Sequence, residues 1–138
     1  MKNILLTGLM WGYLSASAQP KIPSAVSDSF AKQFPDATSV KWGMENAKEY
    51  EADFQSKGRK MSANYDLRGN WKETESPVRS KDLPIEVVRA IDKRYPGAVV
   101  VSADKLQRPG SKLIIEANIK TGGRKIEVEL FADGRFLK

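Results

Sequence analysis

The 138-residue chain has no cysteine and no histidine. Without thiols it can form neither a disulfide nor a thiolate metal site, and it has no cysteine nucleophile. Without imidazole it lacks Ser–His and Cys–His catalytic pairs and any histidine metal cluster. Ser–Lys and paired-carboxylate arrangements are the catalytic options left. The glycine-containing "TGG" at Thr121 and "PG" at Pro109 lack phosphate-loop spacing, and no calcium-ligand loop surrounds carboxylates such as Asp133. The sequence therefore calls for no cofactor. Lys and Arg are scattered among acidic residues without interleaved aromatics, so the net charge of +6 does not point to nucleic acid.

Long hydrophobic runs are also missing. The longest apolar stretch, Ile4 to Leu14, is too short to span a bilayer. It follows Lys2 and precedes Ala16-Ser17-Ala18, the pattern of an export signal with a small-x-small cleavage site. Residues 1–18 are expected to be the signal and Gln19 the first mature residue. Loss of Lys2 lowers the charge from +6 to +5. The expected location is periplasmic or secreted, with no membrane span after cleavage. At 41% apolar and 29% charged the chain belongs among folded soluble proteins. With no disulfide, core packing alone must hold it together.

What the chain does contain is a repeat. A shift of 61 residues lays Pro23 on Pro84, Phe34 on Tyr95, Pro35 on Pro96, Ala37 on Ala98 and Val40 on Val101. A shift of 65 lays "YEADF" (50–54) on "IEANI" (115–119), Gly69 on Gly134 and Trp71 on Phe136. Two copies are too few for a solenoid and fit a duplicated small unit. The expected division is 19–75 for the first repeat and 76–138 for the second.

Each copy opens as a helix. Val26, Phe30 and Phe34 share a stripe at i, i+4 and i+8, as do Val87, Ile91 and Tyr95. Pro23 and Pro84 suit a first helical turn, and Pro35 and Pro96 end the helices. Alternating runs follow: Val40, Trp42 and Met44; Tyr50, Ala52 and Phe54; Met61, Ala63 and Tyr65. Period two with one polar face predicts an antiparallel sheet covered on one side. "DLRGNW" and "ADGRF" place Gly where a three-residue hairpin needs a left-handed residue. Glu73 to Lys81 reads as a polar connection, with a short fourth strand at Trp71 or Phe136. The fold class is α+β: a tandem helix plus three- or four-stranded antiparallel meander, forming one curved sheet with the helices on one face.

The helices ending in Phe-Pro and Tyr-Pro, the "VKW" and "YEADF" strands, the "YDLRGNW" hairpin and the "LP" helix start resemble the PepSY-like family. These are secreted proteins of Gram-negative bacteria, related in fold to the β-lactamase inhibitor protein. The likeness runs from about Ile22 to the C-terminus. It implies paired units with helices on the convex side of one sheet. In the inhibitor protein the concave face and projecting loops bind an enzyme, and the wider PepSY group is associated with restraint of proteases. No binding residue of the inhibitor matches a motif of this chain.

Copy two is four residues longer than copy one, within Ala103 to Lys112. Lys105, Arg108 and Lys112 lie on or beside that insertion. Val100, Ile114 and Phe131 read as apolar positions on the sheet's open face, among Ser102, Glu116, Asn118, Glu127 and Glu129. The candidate site is therefore Lys105, Arg108, Lys112, Val100, Ile114, Glu116 and Phe131, a basic loop and open face gripping an acidic partner. The alternatives are a tolerated surface insertion and apolar residues buried between the copies. Glu127 and Glu129, roughly 7 Å apart on one strand face, read as a solvated pair rather than a sugar-cleaving one.

The expected function is an exported, non-enzymatic binding module, inhibition of an enzyme being one form of it, with another cell-envelope protein as partner. The alternative is a carrier of a small ligand or envelope component in a cleft between sheet and helices. Phe34, Trp42, Phe54 and Tyr65 are expected to fill that space, with Trp71 also in the core.

Overall fold

The computed structural model describes residues 19–137. The expected export signal, 1–18, lies outside them. Helix α1 spans Ser24–Gln33 and α2 spans Ile85–Arg94, each burying the stripe that its spacing predicts: Val26 with Phe30, and Val87 with Ile91. Pro23 and Pro84 stand one residue before the helices, in extended conformation. Their carbonyls accept the first bonds, from Val26 and Ser27 and from Val87 and Val88. A residue without an N–H loses nothing there. Phe34 and Tyr95 close the helices, and the prolines after them prevent continuation.

One sheet carries both helices. Its strands are β1 (Thr38–Asn46), β2 (Glu49–Ser56), β3 (Arg59–Asp66), β4 (Trp71–Pro77), β5 (Val99–Gln107), β6 (Ile114–Thr121) and β7 (Arg124–Phe131). They lie side by side in chain order, every pair antiparallel. The segment read as a connection from Glu73 is thus mostly strand: β4 reaches Pro77 and joins the halves by pairing with β5. One inward position is Thr74, buried and bonded by the Trp71 indole N–H at 2.9 Å. Beyond Trp71 the helix-side residues are the small polar Thr74 and Ser76, which left no apolar alternation to read. The actual link is short, with a 3₁₀ turn at Ser80–Asp82. The second half ends differently, Phe136 making one isolated bridge to Leu130.

The helix side of the sheet holds two apolar clusters. Under α1, Phe30 lies 5.5 Å from Phe34, 5.2 Å from Trp42 and 5.0 Å from Phe54, centroid to centroid. Tyr65 is fully buried beside them and its hydroxyl donates to Gln33 Oε1 at 2.8 Å. Under α2 the packing is aliphatic, with Ile115, Ile119 and Leu130 fully buried. Trp71 packs against the first cluster and Phe136 against the second.

Two glycines seat the helices. Gly69 and Gly134 both have φ +86°, in the turns after β3 and β7. A Cβ on Gly134 would come within 2.6 Å of the Glu86 carbonyl oxygen at the start of α2, and one on Gly69 would collide with that of Ala25 in α1. Each turn is pressed against the first turn of its helix, which only glycine allows.

Candidate functional site

Ala52, Ala63, Ala103 and Ala117 point into the helix-side cores. Their neighbours along each strand point the opposite way, onto a face that no helix among the described residues covers. Cross-strand register arranges that face in rows. One runs Glu51, Asn64, Glu73. The next runs Lys41, Asp53, Ser62, Glu75, Leu106, Ile114, Phe131. A third runs Asp104, Glu116, Glu129, and a fourth Ser102, Asn118, Glu127. The open face of a positively charged protein is therefore crowded with carboxylates.

Several of them are poorly hydrated. Glu116 is only 4% exposed. Burial, and then the charges of Glu127, Glu129 and Asp104, push its carboxyl up to about 8. Burial beside Asp53 and Glu45 pushes Glu51 up to about 7. Glu75 rises too, chiefly through burial, helped by its hydrogen bond to Glu73 and that group's charge. Leu106 and Ile114, next to it in the row, are fully enclosed. Glu45, Asp53, Asp104 and Glu127 shift upward as well, burial being the first cause in each.

Cations stand on this face too. Lys41 of β1 lies opposite Asp53, whose upward shift it opposes. Lys120 and Lys125 lie opposite each other beyond Asn118 and Glu127. A third position, Arg108, ties two strands together. Arg108, just past the end of β5, pairs with Glu73 of β4 through Nε, and with Glu129 of β7 through Nη2 at 2.8 Å. Strands β4 and β7 stand three spacings apart, roughly 14 Å along the sheet. The guanidinium draws the two carboxylates together across β5 and β6.

The predicted residues do not form one patch. Ile114, Glu116 and Phe131 lie on the open face as expected, but Ile114 is 1% exposed and presents nothing to a partner. Phe131 is half-buried, with Arg135 over its ring at 5.2 Å. Val100 is on the other side: it pairs with the core residue Ile119 and packs into the cluster under α2. A bulge between Val100 and Ser102 inserts one extra residue, Val101, and reverses the alternation. Lys105 is inside β5, opposite Ile115, and so on the helix side. There it helps line a cleft of about 590 Å³ with Arg59, Lys60 and Arg79. Arg108 turns inward to its own carboxylates. Lys112 alone of the three cations stands exposed in the β5–β6 loop.

Glu51, Asp53, Asn64, Glu73 and Glu75 were missed as site residues. The polar alternation of β2 and β3 did mark that half of the face. Nothing marked the burial of its carboxylates or the long-range pairing by Arg108.

Among the described residues no three acidic side chains converge as a metal site, and no helix is long and apolar enough to cross a membrane.

Known proteins share this architecture. A BLIP-like protein from Bacteroides fragilis is 28% identical, with 92% of this chain and 86% of that one covered, at a TM-score of 0.75. A DUF2874 family protein from Bacteroides ovatus is 24% identical, covering 86% of each chain, at a TM-score of 0.77. A protein from Bacteroides eggerthii described as periplasmic is 19% identical, covering 86% of this chain and 88% of that one, at a TM-score of 0.76. No curated protein matches. The family described as "Putative beta-lactamase-inhibitor-like, PepSY-like" matches residues 13–62 and 48–138. Those two stretches overlap and together run from ahead of α1 to the C-terminus, so the chain belongs to the PepSY-like family.

Proposed function

We propose that this protein is an exported, non-enzymatic binding module of the cell envelope that recognises another protein through its open sheet face. The observation that carries the reading is the burial of carboxylates on an uncovered face. Carboxyl groups desolvated beside one another cost stability once they ionise. A fold that keeps them where apolar or neutral residues would fit holds them for something that binds there. The description of a similar Bacteroides structure as periplasmic, and the leader-like sequence, support export. The lack of His and Cys supports a role without catalysis. We read residues 19–75 and 76–138 as two copies of one unit. The matched Gly69 and Gly134 turns, each against its helix start, support that division.

The carrier reading finds less support, because the ring cluster around Phe30 occupies the space under α1 where a ligand would sit.

The experiment is a pull-down from periplasmic extract with the mature chain and two variants confirmed folded by circular dichroism. Asn118→Trp obstructs the open face, and Arg89→Trp alters the exposed side of α2. A protein retained by wild type and Arg89→Trp but lost with Asn118→Trp supports the proposal. Equal retention by both variants contradicts it.

A further inference from the structure

Arg108 shows what chemistry the open face accepts: a forked cation between carboxylates of different strands. Directly beside that pair lies a second group of acceptors. Asn64 pairs with Glu73 on one side and Glu51 on the other. The residue is 7% exposed, and its Oδ1 is buried with no hydrogen-bond partner among the described residues. A buried amide oxygen without a donor costs about 1–3 kcal/mol, so it is not a neutral filler. With Glu51 beside it, it presents acceptors, while Lys41 of β1 already stands opposite the next carboxylate, Asp53.

We infer that the open face takes a cationic protein segment, an arginine- or lysine-bearing strand or loop, whose leading cation sits between Glu51 and Asn64 as Arg108 sits between Glu73 and Glu129. This rests on the open-face reading above and names the partner's chemistry, which is the reverse of the acidic surface that Lys105, Arg108 and Lys112 suggested. A side-chain cation fits better than a metal ion, since no three acidic side chains among the described residues converge closely enough to ligate one. A guanidinium or ammonium supplies the missing donor to Oδ1 and the positive charge to Glu51 in one group.

The probe is a fluorescent peptide of alternating Arg and Thr, about ten residues and so ~34 Å extended, enough to cross a seven-stranded sheet ~29 Å wide. Its anisotropy is measured with the mature chain, with Glu51→Gln and with Glu86→Gln. Glu86 is an exposed acid on α2, away from the face. Glu51→Gln removes a desolvated charge, so lost binding does not come from unfolding. The inference predicts binding to wild type and Glu86→Gln, weakened about tenfold in Glu51→Gln, and weaker still for all at ~0.5 M salt. Equal affinity in the two variants overturns it. So does equal binding of an alternating Glu and Thr peptide. A calcium-induced rise in melting temperature that Glu51→Gln abolishes also overturns it, in favour of a metal. A pulled-down protein lost with Asn118→Trp but indifferent to Glu51→Gln would leave the open-face reading standing and remove this one.

Discussion

Arg108 satisfies two carboxylates that its chain neighbours cannot reach. Its fork bonds Glu73 and Glu129, 35 and 21 residues away in sequence. Those bonds, that to Glu129 first, hold the guanidinium firmly ionised. Lysine in its place offers one point charge and cannot span both partners. Arg108→Lys is therefore expected to lower stability by about 1 kcal/mol, and Arg108→Ala by about 1–2 kcal/mol, at neutral pH. Urea denaturation checks the order, and equal stability of all three proteins would show the clamp to be idle. Sequence singled out Arg108 but gave it an outward role, because a salt bridge between distant strands leaves no local trace. Lys105 was misplaced for a simpler reason: the loop it was assigned to begins only after β5 ends at Gln107.

At the level of elements, the legible parts are those whose signal is local. Both helices end where Phe-Pro and Tyr-Pro predict, and the strands with apolar alternation lie where the period indicates. The short fourth strand expected at Trp71 is there, but its run to Pro77 escaped because the inward residues beyond Trp71, Thr74 and Ser76, are polar. Val100 changed face because a bulge is invisible to a period of two. The glycine turns were legible and carry a prediction. Gly69→Ala forces a left-handed φ on alanine and drives its methyl into the Ala25 carbonyl. It should cost about 2 kcal/mol or more. Gly43→Ala, at a position with open space and no left-handed φ, should cost far less. Thermal unfolding of the pair tests the docking of turn on helix, and similar melting temperatures would contradict it.

For the whole molecule, the uneven charge distribution sets the pH response. Glu51, Glu75 and Glu116 have folded-state values raised above those of the unfolded chain. Their contribution to stability is complete below the unfolded value, near 4.5, and disappears as pH rises through the folded values of about 7 and about 8 for Glu51 and Glu116. Asp66 and Asp133 act oppositely, held low mainly by hydrogen bonds from Asn70 and Arg135, and their stabilisation fades in acid. The melting temperature should be lower at pH ~9 than at pH ~5. Glu51→Gln/Glu116→Gln should flatten that fall, and an unchanged slope in the double variant would refute the assignment. The architecture of two helices on an antiparallel sheet was readable from the apolar periods and the proline stops. The acidic face was not, since the same alternating Glu and Asp describe a solvated strand until neighbouring strands close in around them.

Carbon-13 NMR titration of the glutamate side-chain carboxyls tests most directly whether the open face is a desolvated, like-charged array. The account predicts midpoints near about 7 for Glu51 and about 8 for Glu116. Midpoints for both close to the ordinary 4.5 would contradict it.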